Sequence, residues 1–394
     1  MTLSINEIVS YGVLYYAFPV LAGAITADTG WSRTAVTAAF SVGNLVAAIA
    51  GIPIGRLLDR YGPRFVMASA FLLAGASVVG IASATTFIWF AFWWFIAGIA
   101  MAGSFYPPAF AAITAWYGAG RIKALTTLTL VAGFASTVFA PLTAVLLEHL
   151  SWREVYWVLA AILLAVTVPG TLLGLRLPWV NSRLHQSTFI APGAVPSERT
   201  NFVLLIAAMT LGAFTLCSAV INAVPLLIER GVTPTTAAVA LGLGGIGQVA
   251  GRLCYRWLHD HLGAHGRIVV ILLSAGGSTA LLAVLPAFGL LLLAAALVMG
   301  AVRGLFTLLQ ATIVTDHWET SRYATVNGIF TAPITAVAAL APTIGVLLAV
   351  TLGSYTLLFI LLGGIAVLGA GLAVMANWRT HSAQEQRPQL RGSS

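Results

Sequence analysis

In the stretch LVMGAVRGLFTLLQA a single arginine, Arg303, stands in the middle of an apolar run. Holding a guanidinium at the centre of a membrane helix costs roughly 2.5–3.5 kcal/mol on insertion scales, so such a residue faces a wet cavity or a partner. Its neighbours Gly300, Ala301 and Gly304 are small and leave room for a ligand or another helix. A planar fork of donors suits an oxyanion such as a carboxylate. The competing use is structural, as an ion pair or a set of bonds to backbone carbonyls.

Other groups with chemistry are few. Glu7 lies about a turn inside the first apolar run, where it could reach the interface and stay solvated; the alternative use is as a proton carrier. Asp316, His317 and Glu319 follow the run that holds Arg303. His259, His261 and His265 read as a solvated loop rather than a metal set. There is no G-x-S-x-G, no metal-spaced cluster at depth and no nucleotide loop, so an enzyme is not expected, nor a cofactor or metal. Cys217 and Cys254 form no framework and read as small core residues.

The elements that hold these residues follow from composition. The chain is 59% hydrophobic and only 8% charged over 394 residues, with a mean hydropathy of +0.97. Soluble domains are about a quarter charged, so lipid must be the solvent for most of this surface. About 20 apolar residues span a bilayer as a helix, and lipid demands closed backbone hydrogen bonding. Twelve apolar runs lie near 3–25, 34–54, 65–83, 87–117, 123–147, 154–175, 201–226, 234–253, 267–285, 289–315, 322–350 and 354–377. The first reads as a span, not a cleaved leader. The expected fold is an all-α membrane protein of twelve transmembrane helices. Its parts are an N-terminal bundle at 1–175, a polar linker at 176–200 with three prolines, a C-terminal bundle at 201–377 and a polar tail at 378–394. Trp89, Trp152 and Trp378 are placed for an interfacial belt.

With the N-terminus inside, the inner segments hold fifteen Lys and Arg and the outer loops three. That bias predicts both termini in the cytoplasm of a cell that keeps the chain in its inner membrane. It also accounts for the net charge of +8 without nucleic acid. The halves echo each other: Gly55-Arg56-Leu57 matches Gly251-Arg252-Leu253, and Ala140-Pro141 matches Ala341-Pro342. Two six-helix halves around a midplane site is a transporter architecture.

The turn GRLLDRYGPR at 55–64 carries more than orientation requires, since acids such as Asp59 contribute little to it. Gly55, Leu57, Asp59, Arg60, Gly62 and Arg64 resemble the signature loop G-x-L-x-D-R-x-G-r/k between helices 2 and 3 of the major facilitator superfamily. SWREVYW at 151–157 is similar to that superfamily's turn between helices 5 and 6. The resemblance implies two pseudo-symmetric six-helix bundles and alternating access. It implies that Gly55, Asp59, Arg60, Gly62 and Arg64 form a conformational latch, with Asp59 meeting the start of run eleven near 322–327. GWSRT at 30–34 and AWYGAGRIKAL at 115–125 look like the oxalate/formate and monocarboxylate transporter branch.

Two departures matter. The arginine of the superfamily's fourth-helix pattern is Trp94 here, and the helix 5 signature of drug antiporters is largely missing at Ala140–Val145. In the superfamily, helices 1, 4, 7 and 10 line the cavity. That implies substrate contacts from Arg303, Tyr15, Tyr106, Asn222, Gln310, Tyr11 and Phe105, with Tyr16, Thr215 and Ser218 also on those runs. Asn44 and Asn327 suit helix–helix hydrogen bonds. The expected function is a secondary transporter, symporter or antiporter, for a small organic anion, a monocarboxylate above all. Coupling could come from protons or from anion exchange. A drug or toxic-compound exporter is the alternative. A monomer in the lipid bilayer is expected.

Overall fold

The computed structural model describes residues 1–117, 121–177, 179, 199–286, 289–317 and 323–385. Twelve helices among them are long and apolar enough to cross a membrane: α1 Thr2–Thr29, α2 Arg33–Leu58, α3 Pro63–Ala82, α4 Phe87–Tyr117, α5 Ala124–His149, α6 Trp152–Gly174, α7 Arg199–Glu229, α8 Pro234–His261, α9 Ala264–Val284, α10 Gly289–Val314, α11 Ile329–Leu352 and α12 Tyr355–Ala376. The last continues as helix to Glu385, past the expected end of the span. The protein is a multi-pass membrane protein built on two six-helix halves.

Local chemistry sets the ends. Ser32, Thr86 and Thr233 accept backbone N–H bonds at the starts of α2, α4 and α8, and Ser151 with Glu154 closes a capping box on α6. The turn after α2 stops on Gly62, whose φ of +78° favours glycine. Pro63 then opens α3. Pro107 and Pro108 follow a break in α4 at Phe105, as the sequence predicts for a kink site. α1 contains one π turn, Gly12–Tyr16.

Two kinds of packing build the halves. In the N-terminal half, Phe18, Phe40, Phe90 and Trp94 stack in a buried aromatic core. Trp94 is thus a core residue, which explains why no arginine stands there. In the C-terminal half, α8 and α10 touch backbone to backbone. A Cβ on Gly247, Gly251, Gly300 or Gly304 would land on a carbonyl oxygen of the facing helix. Small residues at intervals of four permit this approach, as in other membrane helix pairs.

The halves meet along α5–α8 and α2–α11. On the face that carries residues 29–33, 148–152, 230–235 and 353–355, the seam is shut. Thr343 Oγ1 donates to the Thr37 carbonyl at 3.2 Å, Thr235 reaches Glu148, and the Arg33 guanidinium lies 5.6 Å from the Tyr355 ring centroid. On the other face, which bears the 55–64 turn, α4 and α10 share no extended contact among the described residues.

Several sequence expectations change here. Glu7 is fully buried rather than solvated, because α6 and the α4 break close over the first turns of α1. Trp152 is buried, and its indole donates to Asp28 at 2.8 Å instead of facing the interface. Cys254 is exposed. His259 contacts Arg267 and His265 meets His317 edge-on, so these rings are not a free loop. Asn44 bonds back to the Phe40 carbonyl of its own helix.

Candidate substrate site between the two halves

Arg303 sits at the seam. Its Nη1 donates to the Tyr16 hydroxyl at 3.0 Å, and its Cζ lies 5.8 Å from the Tyr16 ring centroid. Among the described residues it makes no ion pair. The glycine contacts of α10 hold this residue close to α8, so its long side chain is left free to cross to α1.

Arg303 and Tyr16 form the polar end of an internal cavity that also takes in Ser136. The rest of the wall is apolar, with Leu216, Val220 and Leu227 from α7, Leu241 from α8, Leu282 from α9 and Met299 from α10. Its tight core is about 20 Å³ within about 460 Å³ of non-atom space in all. That core is about one water-sized sphere, so the walls are close together in this state. A cation at one end of an apolar chamber can orient an anionic head and bury a hydrocarbon body.

The other expected contacts fall in four places. Tyr11, Phe105 and Tyr106 come together below Arg303: Tyr11 stacks on Phe105 at 4.0 Å between centroids and tilts on Tyr106 at 4.9 Å. Tyr15 packs edge-on against Tyr16 at 5.3 Å. Asn222 is buried against α11, where its amide bonds the Ser218 carbonyl at 2.9 Å and crowds Gly345. Gln310 is half-buried two turns beyond Arg303 and outside the cavity wall. In the latch turn, Arg60 and Arg64 lie over the rings of Tyr61 and Phe65, and Gly62 abuts Trp179. Gly55 lies within the helix that ends at Tyr61. The side chains of Asp59 and Asn327, and residue 322, lie outside the described residues.

The profile of the Major Facilitator Superfamily matches residues 3–291. The chain belongs to that superfamily. Monocarboxylate transporter 13 of Rattus norvegicus is 24% identical over 382 residues, covering 93% of this chain and 83% of the relative. The Bos taurus protein of that name is 25% identical over 398 residues, covering 96% and 88%. Among solved structures, the nucleoside transporter NupG aligns with a TM-score of 0.72 at 14% identity, covering 95% of this chain and 98% of that one. A bacterial homolog of the human lysosomal transporter Spinster, in an inward-facing and occupied conformation, aligns with a TM-score of 0.68 at 17% identity, covering 95% of each. Membership of the superfamily makes the chain a transporter, not an enzyme.

One charge of this superfamily member escaped the sequence reading. Arg252 counts there as a loop residue at the end of run eight. In the structure α8 continues to His261, and Arg252 is only 7% exposed. Its Nη1 reaches across the seam to the Thr129 carbonyl of α5, next to Tyr106, while its Nε has no partner among the described residues. The available signal was spacing: Gln248 and Arg252 stand four apart, on one face of a helix whose small residues press on α10.

Proposed function

We propose that this transporter moves small organic anions, monocarboxylates with an apolar body, by alternating access across the cell's inner membrane. The observation that carries the reading is the Arg303 guanidinium, without an ion pair among the described residues, opening on an apolar chamber between the halves. An uncompensated cation at that depth is costly, and a carboxylate would offset the cost. Tyr16 holds the guanidinium in place, and Arg252 stands as a second cation of the seam. The relatives named monocarboxylate transporter 13 support the cargo class.

In this reading the basic face is cytoplasmic, with both termini on it, and the turn at 55–64 is a latch on that face. Tyr11, Phe105 and Tyr106 narrow the path from it to Arg303. The shut seam at Thr37–Thr343 is then the outer gate. The test is uptake of labelled pyruvate, isovalerate and phenylacetate into proteoliposomes. Saturable uptake that Arg303→Ala removes supports the reading. Uptake unchanged in Arg303→Ala, or no uptake of any carboxylate by wild type, rejects it.

A further inference from the structure

Glu7 is a buried acid that the site above does not use. It is 0% exposed, and neither carboxylate oxygen has a hydrogen-bond partner among the described residues. Polar atoms gather around it without satisfying it. The Ser10 hydroxyl is shared between the carbonyls of Glu7 and Ser104, at 3.4 and 3.3 Å. Asn6 donates to Thr171 at 2.8 Å. Asn6 Oδ1 and Ser104 Oγ are left without a partner among the described residues as well. The ionisable groups beside Glu7 are the phenols of Tyr11, on its own helix, and Tyr106, on α4. No charged group from α4, α5 or α6 acts on the carboxylate among the described residues, and Arg252 acts on Tyr106 rather than on it. An ionised carboxylate cannot be kept cheaply in such a place. The same carboxyl carrying a proton is neutral and far less costly to bury.

One turn along α1 toward the cavity stands Tyr11, with its stack on Phe105 and Tyr106. Next comes the π turn Gly12–Tyr16, and at its end the phenol bonded to Arg303. A π turn is a local irregularity that recurs at functional sites. Glu7 and Arg303 are therefore the two ends of one row of phenols on α1.

We propose that Glu7 is the proton-binding residue of the transport cycle. In this proposal the closed-off carboxyl of the structure carries the proton. When the Tyr11–Phe105–Tyr106 cluster parts and water reaches the carboxyl, one proton leaves its oxygen for that compartment. The carboxylate regains one proton from water of the other compartment in the alternate state. One proton moved with one carboxylate anion on Arg303 is electroneutral. The proton site rests on the transporter assignment alone, and only its pairing with an anion rests on the reading above.

Dicyclohexylcarbodiimide, which attacks protonated carboxyls in apolar surroundings, tests the site on the wild-type protein without any cargo. Mass spectrometry of the reconstituted protein is expected to find Glu7 modified, and modified less as pH is raised. A Glu7 that stays unmodified at every pH overturns the proposal. Coupling is tested by pyruvate uptake with and without an imposed pH gradient. Wild type should respond to the gradient, Glu7→Gln should not, and Glu7→Asp should regain the response. A Glu7→Gln protein that still responds to the gradient overturns the proposal even if labelling succeeds. If wild type carries no carboxylate, the anion reading fails by itself, and the carbodiimide profile still decides whether Glu7 holds a proton.

Discussion

Arg303 and Tyr16 are 287 positions apart in sequence, yet Nη1 of one donates to the hydroxyl of the other at 3.0 Å. The bond ties α10 of the second half to α1 of the first. Removing a partner of a charged hydrogen bond costs about 1.5–3 kcal/mol. Arg303→Ala should weaken carboxylate binding by roughly tenfold to a hundredfold. Tyr16→Phe leaves the charge and should cost only about two- to tenfold. Competition assays on purified variants would rank the two, and the reverse order would refute this division of labour.

The contact of α8 with α10 predicts a sharp contrast among glycines. Gly300→Leu or Gly247→Val must push the two backbones apart, since even a Cβ would overlap a carbonyl. Overpacking of a tight contact costs about 1–3 kcal/mol or more. These variants should lose monodisperse protein on size exclusion. Gly277→Ala, which meets nothing within 4 Å, should behave as wild type in the same run.

Opening of the seam at Thr37 and Thr343 can be blocked. With Cys217 and Cys254 replaced, the pair Thr37→Cys and Thr343→Cys should cross-link under mild oxidation, because the native contact is 3.2 Å and a disulfide needs Cα atoms within about 7 Å. Transport should stop on oxidation and return on reduction. Free transport by a fully cross-linked protein would mean that this seam does not have to open.

Arg267 and Asp316 form an ion pair at 3.0 Å, with side chains 4% and 18% exposed. Breaking one partner of a buried pair strands a charge, at about 3–5 kcal/mol. Asp316→Asn should lower the thermal midpoint clearly. The pair Arg256–Asp260 is open to solvent at 92% and 57%, so Asp260→Asn should shift the midpoint little.

Burial holds the His317 imidazole below its ordinary value, against the opposing pull of its bond to the Ile313 carbonyl and of Asp316. The unfolded chain therefore takes up the proton first as pH falls. His317 contributes its full share of stability above about pH 6.5, the ordinary imidazole value, and that share declines as pH drops toward the lowered folded value. Thermal midpoints measured across this window should fall less steeply in His317→Gln than in wild type.

The fold was legible because lipid imposes it: twelve runs of sufficient length, a charge bias and a motif turn leave few alternatives. Arg303 was legible for the same reason, a cation alone in an apolar run. Glu7 was not, since a position one turn from the start of a run reads as interfacial, and only the helices that close over it reveal its burial. Arg252 was hidden by the polar residues after it, which made a helix interior look like a loop. Among the tyrosines of α1, a regular period cannot single out Tyr16. The π turn adds a residue and rotates the rest of the helix by about 100°. Sequence periodicity carries no record of that.

Between α8 and α10 there is no layer of side chains to slide or repack, because glycine backbones meet directly. Any rocking of the second half must carry both helices as one lever, with Arg252 and Arg303 riding on it as fixed rungs. The backbone stations of the two arginines then keep one spacing on both shores of the membrane, whichever way the gate swings.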